Sequence, residues 1–267
     1  MPNQDDRSDG VNIVRVGRVP FTVSNLGRAT DTVLAAASAR EGLPVRLANA
    51  YCVALASSDE KYCSVFNSHG ITFPDGTPVV WFMRRRISAA RTVRGPALFE
   101  RVIDRGRERQ IRHFFLGTQD ATLEALVAEL GRRYPGMECA GTFAPGFNAI
   151  DNESLVEFAE KIRDSEADIV WVALGTPKQD FVSSWLAPEV GSPCVGVGAA
   201  FDFVAGRVGE APVWLRETGF EWLYRLLSEP RRLWRRYLIG NSKFLYCAIF
   251  QSSSSSQVSH FGSGERR

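Results

Sequence analysis

Hydrophobic positions along the chain follow two alternating patterns between residues 111 and 197. Short, nearly continuous apolar runs are typical of strands covered on both faces, and apolar residues at helical spacing are typical of amphipathic helices. Their alternation predicts a parallel sheet with helices on both faces. The predicted strands span residues 111–116, 137–142, 168–174 and 194–197, and the predicted helices span 120–134, 153–163 and a segment opened by Thr176 with Pro177 in its first turn.

The N-terminal third of the chain gives weaker signals of the same kind. Short β-rich runs are followed by turn residues, and Ser, Thr and Asp stand where helix N-caps are expected. These signals extend the predicted sheet toward the N-terminus. Strands are predicted at 11–16, 45–49 and 71–73, and helices from Thr30 and Asp31 to Arg40 and from Ser58 and Asp59 to about Gly70.

From about residue 207 the pattern changes to an apolar stripe rich in Trp and Leu, with arginines among its members. The stripe is interrupted at Pro230, so it predicts two amphipathic basic helices that meet there. The serine-rich end is of low complexity and is predicted to be disordered. The chain is thus divided into a loose leader (1–10), a sheet domain (11–206), a helical appendage (207–250) and a disordered tail (251–267).

The formal net charge of the 267 residues is only +2, which excludes a nucleic-acid-binding polycation. The basic residues are nevertheless clustered, and only four of the 32 are lysine. Residues 84–112 carry ten arginines against three acidic residues, and residues 207–243 carry eight basic residues against four acidic ones. Arginine suits contacts with phosphate and anionic interfaces, although codon bias and solvated helix faces explain single arginines equally well.

The cysteines and the apolar runs indicate the cellular compartment in which the protein is expected. The five cysteines form no Cys-x-x-Cys pair, and most of them stand in apolar surroundings typical of core residues. Neither a signal peptide nor an 18-residue apolar run is evident, so a cytosolic protein that touches a membrane only from its surface is predicted. The three histidines show no ligand spacing, and no metal site is predicted.

In an open parallel sheet, ligands bind beyond the carboxyl ends of the strands, so the residues after each predicted strand are site candidates. Two such junctions are rich in glycine and precede helix N-termini, whose free amides attract phosphate. They predict a nucleotide diphosphate site, although Gly196-x-Gly198-x-x-Phe201 departs from the Gly-x-Gly-x-x-Gly dinucleotide fingerprint. The candidates are Asn49, Asp75, Thr176, Gln179, Gly198 and Asp202.

Two carboxylates among these candidates allow more than one interpretation. Asp75 stands between Pro74 and Gly76 on a constrained turn at a strand end, where a general base could be held. Pro-Asp-Gly is also ordinary turn chemistry, and the residues alone leave both interpretations open. Asp202 is either a helix cap or a hydrogen-bond acceptor for a base or a sugar.

Short motifs follow one another along most of the chain. They are Asn49-Ala50, Pro74-Asp75-Gly76, Phe115-Leu116-Gly117, Tyr134-Pro135-Gly136, residues 173–180 (ALGTPKQD), 195–203 (VGVGAAFDF), Ala205-Gly206, Ala211-Pro212, 219–226 (GFEWLYRL) and 229–233 (EPRRL) with Arg236-Tyr237. In this combination and order, residues 11 to about 250 resemble the bacterial glycosyltransferase family 26. That family includes N-acetylmannosaminyltransferases of teichoic acid linkage-unit synthesis and mannosaminuronic acid transferases of enterobacterial polysaccharide.

The resemblance implies a Rossmann-like catalytic domain with a C-terminal appendage that docks on the bilayer. It implies an inverting, metal-independent transfer from a UDP-sugar to an undecaprenyl-diphosphate-linked sugar at the inner face of the plasma membrane. By position, Asp75 matches the catalytic base, whereas Asn49, Gln179 and Asp202 match residues of the nucleotide-sugar pocket. Arg91, or by local spacing Arg94, matches an arginine near the diphosphate. Arg225, Arg232 and Arg236 fall where appendage arginines would meet diphosphate or lipid.

Two departures from the family pattern leave the donor and the acceptor open. Leu47 stands where the family usually has Thr, and Glu210 stands where it usually has Arg. A non-catalytic nucleotide-sugar-binding protein therefore stays an alternative. A nucleotide-dependent oxidoreductase is a second one, disfavoured because the first strand–helix turn lacks the glycine fingerprint. The apolar stripe of the appendage could also pack on the sheet or on another subunit, so a homo-oligomer stays open.

Overall fold

The computed structural model describes residues 12–146, 150–212, 215, 221–228 and 230–251. The predicted leader, and all but the first residue of the predicted tail, lie outside these residues. The strands of the described residues are β1 (Ile13–Val16), β2 (Val19–Thr22), β3 (Pro44–Ala48), β4 (Ile71–Pro74), β5 (Arg112–Gly117), β6 (Glu138–Phe143), β7 (Ile169–Ala173) and β8 (Cys194–Gly196).

Strands β3 to β8 form one six-stranded parallel sheet in the order β4-β3-β8-β7-β5-β6, and β1 and β2 form a separate antiparallel hairpin. The middle of β7 is completely buried, as is that of the neighbouring β8. Continuous burial of this kind requires a cover on both faces of a parallel sheet, which explains the long apolar runs. The predicted parallel sheet is confirmed, except that the strand predicted at 11–16, which is β1, belongs to the hairpin and not to this sheet.

Helices cover the sheet on both faces. On one face α1, α5, α6 and α9 share a core, and on the other face α7 and α8 pack together with α3 beside them. The helices of the described residues are α1 (Leu26–Ala39), α2 (Ala50–Ala56), α3 (Glu60–Asn67), α4 (Thr77–Arg84), α5 (Gly95–Gly106), α6 (Asp120–Arg133), α7 (Asn152–Asp164), α8 (Lys178–Val190), α9 (Ala200–Val204), α10 (Glu221–Ser228) and α11 (Pro230–Tyr246).

Two of the predicted helix starts are wrong. Helix α1 begins at Leu26, well before Thr30, because the Asn25 side chain accepts a hydrogen bond from Arg28 N at 2.9 Å and supplies the cap. Helix α8 begins at Lys178, so Pro177 lies at its N-cap position and not in its first turn. The cap of α3 is confirmed, since the Asp59 carboxylate accepts from Tyr62 N at 3.0 Å.

The predicted pair of helices around Pro230 is confirmed, and Pro230 begins the second of them, α11. Helix α11 packs along α2 so closely that a Cβ on Gly240 would lie 3.2 Å from the Tyr51 ring. Phe244 is buried in a core that also contains residues of β1, β2, α3 and α4. The C-terminal helices are thus joined to the sheet domain by a shared core. Among the described residues, none of the helices has the length and apolarity to cross a bilayer.

A buried polar cluster lies between β3, α3 and α8. It consists of Arg46, Tyr62, Asp180 and Ser184, and we call it the closed cluster. The Arg46 guanidinium donates to Ser184 Oγ at 2.9 Å and to the His69 carbonyl at 2.7 Å, and the Tyr62 hydroxyl donates to the Asp180 carboxylate at 2.7 Å. Burial lowers the pKa of Arg46 to about 10 and raises that of Tyr62. Arg46 therefore stays charged at neutral pH and faces a buried carboxylate.

Candidate functional site

A cavity of about 300 Å³ opens at the carboxyl ends of the sheet strands. Residues that follow β3, β4, β5, β7 and β8 line it, together with the N-terminus of α5. This is the edge of a parallel sheet where ligands bind, and polar groups from distant parts of the chain meet there. Its polar lining includes Asn49, Asp75, Arg94, Thr118, Thr176, Gln179 and Asp202.

Asp75 lies half-buried in this lining, directly after β4. Its backbone N–H donates to the Ala48 carbonyl at 2.9 Å, and the Pro74 carbonyl accepts from Val93 N at 2.8 Å. Gly76, with φ at 108°, then turns the chain into α4, a conformation that favours glycine. Bonds to both neighbouring segments therefore fix the backbone of Asp75, which is what a positioned general base needs.

Asn49 lies directly after β3 and caps helix α2. Its side-chain oxygen accepts from Tyr51 N at 3.0 Å and from Cys52 N at 3.4 Å. Since capping engages the oxygen, the amide nitrogen is the group of Asn49 that remains to donate to a ligand. The same residue thus ends a strand, begins a helix and lines the cavity.

Gln179 connects the first turn of α8 with the glycine-rich junction after β8. Its side-chain oxygen accepts from the Gly198 N–H at 3.1 Å, and the residue is only 3% exposed. A Cβ on Gly196 would lie 3.3 Å from the Gln179 amide nitrogen, so the close approach favours glycine there. Gly198 itself has φ at 59°, in the left-handed region. Gln179 therefore sets the path of the junction in the cavity wall.

Thr176 and Asp202 complete the polar wall on this side of the cavity. Thr176 follows Gly175, whose φ of 75° turns the chain from β7 toward α8. The interpretation of Asp202 as a helix cap is wrong, because Ala199 is the N-cap residue of α9 and Asp202 lies within that helix. Of the two interpretations, a hydrogen-bond acceptor for a ligand is the one that its position permits.

Arg94, and not Arg91, lines the cavity. The exposed Arg91 guanidinium donates to the Ser88 carbonyl at 2.7 Å and to the Ala90 carbonyl at 3.0 Å. Arg94 stands at the N-cap position of α5, and its guanidinium contacts the Glu210 carboxylate at 2.9 Å. The structure therefore brings Arg94, and not Arg91, to the cavity lining, and which of the two meets a diphosphate stays a prediction. Glu210, a departure from the family pattern, places a carboxylate against this arginine.

Two further residues, Leu47 and Thr118, line the cavity. Leu47, the other departure from the family pattern, is 5% exposed and lines the cavity at the end of β3. Thr118 follows β5 and was missed in the sequence, although the rule that ligands bind beyond strand ends would have found it. Its φ of 54° is unusual for a β-branched residue, and such strain is found at ligand sites.

The appendage arginines are placed only by their backbone. Arg225 lies on α10, and Arg232 and Arg236 lie on α11. Their side chains are outside the described residues, so their predicted contact with diphosphate or lipid stays a prediction. Within the described part of the chain, His, Cys, Asp and Glu residues form no group of three that could hold a metal ion.

Comparison with known proteins agrees with this geometry. Residues 14–257 match the Glycosyl transferase WecG/TagA/CpsF family. An N-acetylglucosaminyldiphosphoundecaprenol N-acetyl-beta-D-mannosaminyltransferase of Bacillus subtilis (strain 168) is 28% identical over 228 residues, which cover 84% of this chain and 86% of the relative. The protein with the same name from Bacillus spizizenii (strain ATCC 23059 / NRRL B-14472 / W23) is 33% identical over 187 residues, 68% of this chain and 70% of the relative.

The family match extends over most of the described residues, from β1 through α11, and includes every polar residue of the cavity lining. A parallel sheet with a ligand-sized cavity at its carboxyl edge is a suitable frame for a transferase that binds a nucleotide-activated substrate. From the sheet, the cavity and the match together, we conclude that the chain belongs to the WecG/TagA/CpsF family of glycosyl transferases.

Proposed function

We propose that the protein transfers an N-acetylmannosamine-type or uronic acid sugar from a UDP-sugar to an undecaprenyl-diphosphate-linked saccharide. The acceptor class is supported by both Bacillus relatives, whose names give a diphosphoundecaprenol acceptor. The observation that carries the proposal is the position of Asp75 in a cavity that is also lined by two glycine-rich strand–helix junctions. Such a transfer needs a base for the acceptor hydroxyl, which a carboxylate supplies, and hydrogen-bond donors for the leaving group, which backbone amides supply.

In the proposed reaction Asp75 accepts the proton of the acceptor hydroxyl. The hydroxyl oxygen attacks the anomeric carbon of the donor, the bond from that carbon to the UDP oxygen breaks, and UDP leaves with the electron pair. A single displacement of this kind inverts the anomeric configuration. General-base assistance by a positioned carboxylate contributes about 10²- to 10⁴-fold to a rate.

The groups that would stabilise the departing UDP line the same cavity as Asp75. They are the Arg94 guanidinium and the backbone N–H groups of the two glycine-rich junctions, except that of Gly198, which already donates to Gln179. Pre-positioned donors that face a developing negative charge lower the barrier without reorganisation during the reaction. Gln179 would act here by holding the Gly198 junction in place, and Asn49 and Asp202 by bonding the nucleoside or the sugar.

The proposal places the protein at the inner face of the plasma membrane, because an undecaprenyl acceptor is anchored in a bilayer. Arg225, Arg232 and Arg236 would face diphosphate or anionic lipid from the two C-terminal helices. Each basic residue near an anionic surface contributes about 1 kcal/mol to binding. We further propose that the transfer needs no metal ion, the leaving group being stabilised by Arg94 and backbone amides.

A turnover assay tests this function. The full-length protein is incubated with a panel of UDP-sugars and a polyprenyl-diphosphate-linked N-acetylglucosamine, with and without EDTA, and the products are separated by mass. Transfer from one N-acetylmannosamine-type or uronic acid donor, unaffected by EDTA, is expected. Turnover with none of the donors while UDP still binds would instead favour the non-catalytic nucleotide-sugar-binding alternative.

A further inference from the structure

An exposed surface of aromatic, aliphatic and basic side chains lies on α4 and at the end of α11. On α4, Trp81 is 52% exposed, and Arg84 and Arg85 follow on the same face, three and four residues later. At the end of α11 and in the π-helical turn that continues it, Leu245, Tyr246, Ile249 and Phe250 are all about half exposed or more. We call these seven residues the α4–α11 surface.

The two halves of this surface are joined by direct packing, although more than 150 residues separate them in the sequence. The Phe82 and Phe244 rings contact edge to face with centroids 5.5 Å apart, and each ring is the sequence neighbour of an exposed apolar residue. The Arg85 guanidinium lies 4.7 Å above the Phe82 ring. The inner sides of both helices belong to one core, which holds the exposed residues on a common support.

The two chain segments that carry the α4–α11 surface have charge of one sign. Residues 76–99 contain five arginines and no acidic residue, and residues 230–251 contain four arginines, one lysine and no acidic residue. Exposed Trp, Tyr and Phe surrounded by arginine are typical of surfaces that lie in a bilayer interface, since the rings enter the headgroup region and the cations meet anionic lipid.

A second copy of the chain fits this surface less well than a bilayer does. In a two-fold dimer the same patch faces itself, so the arginines of α4 would approach those of the other copy. An anionic bilayer instead supplies counter-charges for all of them. The surface also begins next to the cavity, because α4 starts two residues after Asp75 and Trp81 lies about one helical turn along it.

We propose that the α4–α11 surface docks on an anionic lipid bilayer and brings the Asp75 side of the cavity to the membrane. The inference rests on the proposed function, in which the acceptor is anchored in that bilayer. It adds α4, an element of the sheet domain, to a membrane contact that the family resemblance places at the C-terminal helices alone. The catalytic strand end and a membrane-contacting helix are then consecutive segments of the chain.

Vesicle sedimentation of the full-length protein tests the docking surface. Vesicles of phosphatidylcholine mixed with phosphatidylglycerol are compared with vesicles of phosphatidylcholine alone, for the wild type and for Trp81→Ser, Arg85→Gln and Phe250→Ser. The wild type should bind the anionic vesicles more tightly, and Arg85→Gln should weaken that binding about fivefold. Trp81→Ser and Phe250→Ser should weaken it at least as much. Val156→Ser, an exposed apolar position on α7, is the matched control and should bind like the wild type.

Thermal unfolding of each variant shows whether it is folded, and transfer to a short-chain, water-soluble acceptor separates docking from the proposed function. Trp81→Ser should retain this transfer. If Trp81→Ser, Arg85→Gln and Phe250→Ser all bind anionic vesicles like Val156→Ser, the docking proposal is overturned while the function stands. A stable dimer that dissociates in Trp81→Ser, without vesicle binding by the wild type, also overturns it. Vesicle binding lost only in the three surface variants supports docking even if no donor is turned over.

Discussion

The cavity and the closed cluster contain the same kinds of residue, but these residues have different roles in the two regions. Both contain a carboxylate, an arginine and an uncharged hydrogen-bonding side chain, and they meet at the consecutive residues Gln179 and Asp180. Asp180 is buried and accepts from Tyr62, within a cluster whose polar groups bond mainly to one another. Gln179 instead fixes a glycine junction in the wall of an open cavity. Polar residues alone therefore do not mark a site; polar residues that line a space do.

This difference leads to a separation of effects between the two regions. Changes in the closed cluster should lower the free energy of unfolding and leave ligand binding intact in the folded fraction. Changes in the cavity should alter transfer or donor affinity and leave the unfolding free energy nearly unchanged.

The largest effect is expected for Asp75→Asn. Because the amide cannot accept the acceptor proton, transfer should fall about 10²- to 10⁴-fold, with the melting temperature and UDP affinity close to those of the wild type. Initial rates of transfer and titration with UDP measure the two quantities. Asp164→Asn, an exposed position at the end of α7, is the control. Full activity in Asp75→Asn would remove Asp75 from its role as base.

Arg46→Ala should give the largest loss of stability. The change removes a buried positive charge near the Asp180 carboxylate and leaves Ser184 Oγ and the His69 carbonyl without their donor, and each buried group that loses its partner costs about 1–3 kcal/mol. Denaturant unfolding measures the loss. Arg40→Ala is the matched control, since Arg40 is exposed and its contact with Asp168 should contribute less than about 1 kcal/mol. Equal losses in the two variants would contradict the distinction between a buried cluster and a surface pair.

His113 should make the free energy of unfolding depend on pH, although it does not line the cavity. It is fully buried, accepts from the Trp171 indole N–H at 3.1 Å, and burial lowers its pKa from 6.5 to about 3. Between these values the unfolded chain binds the proton and the folded chain does not. Stability from this group is therefore complete above pH 6.5 and is lost toward pH 3, by about 1.4 kcal/mol per pH unit.

Denaturant unfolding at several pH values measures this dependence. His113→Gln should flatten the decrease below pH 6.5, whereas His69→Gln, at an exposed position, should keep the slope of the wild type. A slope that is the same in all three proteins would contradict a lowered pKa of His113 in the folded protein.

The smallest effect is expected for Gln179→Ala. The change removes the acceptor of the Gly198 N–H, and because Gly198 lines the open cavity, water can replace that acceptor with little loss of unfolding free energy. The junction is then no longer held in its path, so donor KM should rise about tenfold with a smaller change in kcat. Steady-state kinetics with the active UDP-sugar measure both constants. Gln119→Ala, at an exposed position before α6, is the control. An unchanged KM would mean that the junction keeps its path without Gln179.

Much of the fold could be predicted because its signals are local. A strand such as β7 is buried on both faces and therefore reads as a continuous apolar run, and Asp59 stands in sequence where it caps α3. The start of α1 could not be read in the same way, because Asn25 and Thr30 are both good caps and only the folded chain shows which one is used. Helices α2, α4 and α5 were missed. Helices α2 and α4 are short, no side chain caps α4 or α5, and Asn49, which caps α2, is predicted from the sequence only as the end of a strand.

The candidate site could be predicted wherever a residue directly follows a strand. Asn49 and Asp75 were found in this way, and Thr118 would have been. Arg94 could not be separated from Arg91, because both lie in an arginine-rich loop without periodicity and only tertiary packing decides which one faces the cavity. The contact of Arg94 with Glu210 joins positions 116 residues apart, and no local pattern indicates it.

Hydrogen exchange of the full-length protein with and without UDP distinguishes the cavity from the closed cluster as the nucleotide site. The amides of residues 175–179 and 196–202 should exchange more slowly when UDP is bound, because they line the cavity. Peptides covering α3, residues 60–67, should not change. Protection confined to α3, or absent from both strand–helix junctions at saturating UDP, would contradict the assignment.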